Sequence, residues 1–129
     1  MNLVDTFLKL ISIESETGKE DNILDFIETF LEGNNFQGEI KRNNGGIVAV
    51  PSESSKKIAL VGHVDTVPIV PNQQYKFDND DLIGGRGSVD MKGGIAVILH
   101  SLIENSSEIV GVFYTCLLYT SPSPRDFVR

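Results

Sequence analysis

The sequence predicts an α/β domain, a sheet flanked by helices, on three observations. Apolar residues recur at three- and four-residue spacing near the N-terminus and again after residue 94, as one face of a helix requires. Short, continuous apolar runs such as Ile58-Ala59-Leu60-Val61 read as strands of a sheet interior. The two kinds of segment alternate along the chain, the pattern of helices packed on a sheet.

Each element follows from local residues. Leu3, Phe7, Leu8 and Ile11 mark a first helix, which Ser15-Glu16-Thr17-Gly18 ends. A second helix starts between Thr17 and Glu20, lines up Ile23, Leu24, Ile27, Phe30 and Leu31, and closes at Gly33-Asn34-Asn35. Gln37 to Arg42 and Gly46 to Val50 are expected strands, parted by the turn residues Asn43-Asn44-Gly45. A polar loop from Pro51 to Lys57 leads into Ile58 to Val61, expected as a strand buried on both faces. Phe77 to Ile83 has the pattern of a hairpin turning at Asn79-Asp80-Asp81. Ile95 to Ile103 reads as a helix with a buried stripe, and Ile109 to Tyr114 as a second interior strand.

Composition narrows the function classes. The 129 residues suit one domain, and 11 Lys and Arg against 18 Asp and Glu give a net charge of −7. That sign disfavours nucleic acid, whose phosphates want a basic face. No apolar run approaches the roughly 18 residues of a membrane span, so no membrane partner is expected. No signal peptide is visible, and a single cysteine makes no internal disulfide. A soluble, acidic, cytoplasmic protein is the expectation.

The C-terminal end breaks the pattern. Cys116 to Asp126 reads C-L-L-Y-T-S-P-S-P-R-D, which resembles, residue for residue, one translated frame of a transposase sequencing adapter. Residues 1–115 are therefore expected to be natural sequence, and 116–129 a non-native, adapter-derived tail. Setting the tail aside leaves 9 basic and 17 acidic residues, a charge of −8, and no cysteine. Nothing selected this segment to fit a core, so it is expected to pack poorly.

Two segments carry chemistry. Gly62-His63-Val64-Asp65-Thr66-Val67-Pro68 directly follows the strand Ile58 to Val61. In extended backbone, residues two apart point the same way, so His63 and Asp65 share a face. A carboxylate beside an imidazole fixes its tautomer and makes the other nitrogen a better metal ligand. By itself the pair also fits a surface contact or a structural histidine. The second segment, Gly85-Arg86-Gly87-Ser88-Val89-Asp90-Met91-Lys92-Gly93-Gly94, opens into an apolar helix. There Asp90 fits either a helix N-cap or a carboxylate that serves two metal ions with its two oxygens. A phosphate cradle is set aside, since no Gly-Lys-Ser/Thr follows the glycines.

Together the two segments resemble the M20 family of dinuclear zinc hydrolases, whose signatures G-H-x-D-x-V-P and G-R-G-x-x-D-M-K-G-G occur here in order. The resemblance covers about Met1 to Thr115 and implies the N-terminal part of that family's catalytic domain, truncated. It implies two zinc or cobalt ions in the complete enzyme, with His63 a ligand of one, Asp90 bridging both, and Asp65 the acid behind His63, labelled catalytic in the family. It also implies a cis peptide between Asp90 and Met91, and His63 and Asp90 meeting at the C-terminal ends of neighbouring strands. The implied chemistry is attack of water on an amide carbonyl polarised by zinc. The implied substrate is a small N-acyl amino acid, and the complete enzyme is expected as a homodimer. Val67-Pro68-Ile69-Val70-Pro71-Asn72 and Val112-Phe113-Tyr114 look like the branch that removes succinate from N-succinyl-LL-2,6-diaminopimelate in lysine biosynthesis. Acetylornithine deacetylases, aminoacylases and di- or tripeptidases share both signatures. Gly84 departs from the family, which has an aromatic residue before Gly-Arg-Gly; a looser loop is the expected consequence.

Other family parts have no counterpart here. A Glu-Glu pair holding the general base is expected soon after Tyr114, where Cys116-Leu117-Leu118 stand instead. The polypeptide itself is therefore expected to be inactive, and a non-catalytic metal- or amino-acid-binding module of the same fold is the competing reading. The remaining polar residues take plainer readings. His100 is a packing or helix-surface residue, Asp78 to Asp81 a solvated turn without a calcium loop's spacing, and Lys56-Lys57 a loop charge pair. Glu20, Asp21, Asp25, Glu28 and Glu32 form a solvated helix face.

Overall fold

The computed structural model describes residues 1–52, 58–68, 77–78, 83–104 and 107–115. Lys56-Lys57, Ile69 to Asn72, the turn Asn79-Asp80-Asp81 and the whole of Cys116 to Arg129 lie outside the described residues.

The first helix, α1 (Leu3–Ser12), starts where the Asn2 side chain accepts the Asp5 N–H at 2.8 Å, an N-cap that satisfies one orphan donor of the first turn. Its buried face is Thr6, Leu10 and Ile11, while Leu3 is 44 % exposed. The expected stripe is thus rotated, with Leu10 taking the place given to Leu3. In α2 (Asp21–Gly33), all five expected residues are buried. Asn35, at a φ of 58°, turns the chain out of that helix.

Strands β1 (Gly38–Asn43) and β2 (Gly46–Pro51) form an antiparallel hairpin, with Asn43 opposite Gly46 and Asn44-Gly45 as its loop. Gly46 has a φ of 135°, and a Cβ there would lie 1.9 Å from the Phe113 carbonyl oxygen, so only glycine fits. Next come β3 (Ile58–His63), the short pair β4 (Phe77–Asp78) and β5 (Ile83–Gly84), α3 (Gly93–Glu104) and β6 (Ile109–Tyr114). The larger sheet runs β1-β2-β6-β3, with β6 antiparallel to β2 and parallel to β3. β3 and β6 are joined through α3, a β-α-β crossover. The α/β expectation holds.

The core lies between the sheet and the helices. Ile47 and Ala49 of β2 and Phe113 of β6 pack with Leu10, Ile23, Ile27, Leu31, Ile95, Leu99 and Leu102 in one buried cluster. Alternate sheet residues Val48, Val50 and Val112 stay partly exposed, as the two-residue period of a strand requires.

The expectation for Ile58 to Val61 fails. β6, rather than β3, occupies the sheet interior, and among the described residues β3 pairs with β6 alone. Ile58 is 61 % and Val61 54 % exposed. An unbroken apolar run reports hydrophobicity and cannot report which strand is the neighbour on each side. Burial begins at the C-terminal end of the strand, with Gly62 and His63. A Cβ on Gly62 would stand 2.8 Å from Met91 Cε and 2.9 Å from Ile95 Cδ1, so its absence lets α3 approach there.

The acidic face of α2 also differs from its expectation. Arg42 Nη1 lies 2.6 Å from Asp25 and 3.2 Å from Glu28, and Glu20 is buried, accepting the Gly18 N–H at 2.7 Å. His100 packs as expected, bonded to the Thr6 hydroxyl at 2.8 Å with its ring centroid 5.5 Å from that of Phe30.

Candidate metal centre

His63 closes β3, and the chain continues through Val64, Asp65 and Thr66 as a buried loop. The ring is 3 % exposed and its Nδ1 lies 2.9 Å from the Asp65 backbone carbonyl and 3.3 Å from Asp65 Oδ1. A carbonyl only accepts, so Nδ1 is the donor. In the neutral ring Nε2 then carries the lone pair. Tyr114, at the matching end of β6, presents its ring edge-on at 6.4 Å.

Asp90 arrives from the other segment. After β5 the chain turns at Gly85 and Gly87, both with positive φ, and passes through an irregular turn, Ser88–Lys92, before α3. Gly87, at a φ of 78°, would set a Cβ 2.6 Å from Thr66 Cγ2, so the two segments touch where glycine leaves room. The Asp90–Met91 peptide is cis, as the resemblance implies. Asp90 Oδ1 lies 2.7 Å from His63 Nε2, with the Asp90 side chain 74 % exposed. The N-cap alternative for Asp90 gives way: α3 begins three residues later, and the carboxylate faces the imidazole. The expectation of two neighbouring strand ends is corrected. His63 does end a strand, but Asp90 lies in the turn that enters α3.

The pair fits a metal. A ring nitrogen and a carboxylate oxygen 2.7 Å apart share a proton. Two ligands of one tetrahedral zinc stand about 3.3 Å apart, so an ion would replace that proton with a small outward swing of the exposed Asp90 side chain. Imidazole and carboxylate are both ordinary ligands of divalent zinc. Among the described residues, no cluster of three or more His, Cys, Asp or Glu side chains is arranged to enclose an ion. His63 and Asp90 therefore supply part of a coordination shell.

Three polar residues at the site escaped the sequence reading. Ser15 Oγ donates to the Val64 carbonyl at 2.8 Å, and Thr17 Oγ1 donates to Asp65 Oδ2 at 2.5 Å. Both lie in the segment expected as a helix break, with Thr17 also at the expected start of the second helix. Lys92 is 2 % exposed and donates from Nζ to the Ile13 carbonyl at 2.5 Å. Burial pushes its pKa down to about 8, with Glu14 opposing the shift. Its place in the G-R-G-x-x-D-M-K-G-G string was the available signal. Nothing local marked Ser15 or Thr17, whose partners lie nearly fifty residues away.

Comparison with known proteins follows the same segments. Residues 59–113 match the model of peptidase family M20/M25/M40. A Mycobacterium tuberculosis protein named "Putative succinyl-diaminopimelate desuccinylase DapE" is 40 % identical over 111 residues, 83 % of this chain and 31 % of its own length. Succinyl-diaminopimelate desuccinylase of Corynebacterium glutamicum is 39 % identical over 105 residues, 78 % of this chain and 28 % of its own. The chain thus spans about a third of the length of the curated relatives it matches. Among solved structures, a tripeptidase from Staphylococcus aureus superposes with a TM-score of 0.66 at 26 % identity, over 88 % of this chain and 35 % of that one.

Proposed function

For a chain whose residues 59–113 belong to peptidase family M20/M25/M40, we propose metal-dependent hydrolysis of an amide bond in a small N-acyl amino acid. The observation that carries this reading is the 2.7 Å approach of His63 Nε2 to Asp90 Oδ1, made by two segments 27 residues apart. N-succinyl-LL-2,6-diaminopimelate, releasing succinate, is the substrate proposed, supported by the desuccinylase names of relatives in two organisms. In this reading His63 and Asp90 would hold the zinc or cobalt, and Asp65 orients the His63 ring. When bound, the metal supplies Lewis acidity toward the amide carbonyl and acidifies a water. The chain's own residues set the stage: Asp65 keeps a proton on Nδ1, which reserves Nε2 for coordination. The general base and further ligands come from residues other than those described, in a cytoplasmic homodimer of the relatives' length.

The test is succinate release from N-succinyl-diaminopimelate with zinc or cobalt, with and without a chelator, beside acetylornithine and dipeptides. A protein of the relatives' length is expected to turn over only with metal, and the 129-residue chain not at all. Activity surviving complete metal removal overturns the mechanism. A clear preference for acetylornithine overturns the substrate alone. A second reading, a non-catalytic metal- or amino-acid-binding module, is favoured by one observation: the described residues hold only a partial shell. Metal binding without turnover in the longer protein supports it.

A further inference from the structure

We propose that Thr17 is a positioning residue of the metal centre, its hydroxyl holding the Asp65 carboxylate in the plane that presents Oδ1 to His63 Nδ1. The inference rests on the metal reading for its consequence, though the contact itself does not.

The segment 15–17 is fixed beside the site without the Thr17 side chain. The Thr66 N–H donates to the Ser15 carbonyl at 2.8 Å, and the Thr17 N–H donates to the Thr66 carbonyl at 3.1 Å. Ser15 Oγ adds its bond to the Val64 carbonyl. These bonds dock the segment as a short parallel bridge along the His63–Thr66 loop. The Thr17 hydroxyl is therefore free for another task. Its single proton has two acceptors in view, Asp65 Oδ2 at 2.5 Å and the Thr66 carbonyl at 3.4 Å. The nearer and charged acceptor takes it.

The hydroxyl is one of the anchors of the carboxylate. Asp65 is 1 % exposed, so bulk water does not orient it, and a buried anion is held by the donors around it. Its two oxygens are rigidly related: fixing Oδ2 toward Thr17 leaves Oδ1 3.3 Å from His63 Nδ1. There it adds a second, longer contact to the bond Nδ1–H makes with the Asp65 backbone carbonyl at 2.9 Å. The chain of contacts then runs Thr17, Asp65, His63, Asp90. The Asp65 backbone carbonyl holds the His63 ring in any case, and the carboxylate adds to that hold from the position Thr17 gives it.

The experiment uses the 129-residue chain and three substitutions, followed by 1H–15N NMR of the His63 imidazole and by Co2+ titration. Wild type and Thr17→Ser are expected to show a downfield, slowly exchanging Nδ1–H resonance for His63. Thr17→Val keeps the volume and lacks the donor; the resonance is expected to move upfield and exchange faster, with Co2+ affinity falling about tenfold. Thr17→Ala carries the same expectation and stands in if the valine variant does not fold. Ser15→Ala, which loosens the segment without touching the carboxylate, is expected to lower stability and leave the resonance in place. An unchanged resonance in both Thr17→Val and Thr17→Ala overturns the proposal, as does a Thr17→Ser protein behaving like them. If the resonance responds while Thr17→Val binds Co2+ as tightly as wild type, the consequence for the metal fails and the positioning role of Thr17 stands.

Discussion

The two segments that meet at the site are held by different physics. From Gly62 to Thr66 the chain is buried throughout, with His63, Val64, Asp65 and Thr66 each at most 3 % exposed. Backbone bonds to Ser15, Thr17 and Tyr114 fix it on two sides. The segment from Gly85 to Met91 is open: Val89 is 92 % exposed and the Asp90 side chain 74 %. Its anchor is Lys92, whose buried ammonium reaches the end of α1. One half of the site is a prebuilt template, and the other is a solvent-facing arm pinned at its base. Substitutions in the first half should therefore be read in stability, and those in the second in ligand binding.

The sharpest contrast pairs two aspartates. Asp65→Ala removes a buried carboxylate that faces both His63 and Thr17, and should cost about 3–5 kcal/mol in urea denaturation. Asp90→Ala, at an exposed position, should cost no more than about 1 kcal/mol. Equal losses would break the distinction between template and arm.

Lys92 gives the next effect, and it depends on pH. Its folded pKa of about 8 lies below the ordinary 10.5, so between those values the unfolded chain binds more protons. Stability should therefore rise as pH increases from about 8 to 10.5, by about 3 kcal/mol at 1.36 kcal/mol per unit. Lys92→Met should lack that rise; a parallel pH profile in the variant would remove the buried ammonium from the account. Ser15→Ala should cost about 1 kcal/mol, the worth of one hydrogen bond. The smallest effect belongs to Val89→Ser, within about 0.5 kcal/mol, since the valine faces solvent.

The same division explains what the sequence could tell. The helical stripe of α2 and the strands β1, β2 and β6 were legible, because periodicity and turn residues are local signals. His63, Asp65 and Asp90 were legible as two short strings of unusual composition. The place of β3 at one end of the order β1-β2-β6-β3 among the described residues was not, since strand order depends on pairings across the whole chain. Thr17 and Ser15 looked like a helix stop, and only the fold brings them to Asp65 and Val64. In α1 the buried face was shifted because Thr6, a polar residue, occupies a core position by bonding His100. An apolar count does not see that residue.

The central claim is that His63 and Asp90 together hold a divalent cation. Co2+ titration of the isotope-labelled chain, followed by paramagnetic broadening in NMR spectra, tests it most directly because broadening reports even a partial coordination shell. The account predicts broadening centred on His63 Nε2 and the Asp90 carboxylate, abolished in His63→Ala and in Asp90→Asn. Broadening centred on His100 or on the acidic face of α2, and unchanged in both variants, would contradict it.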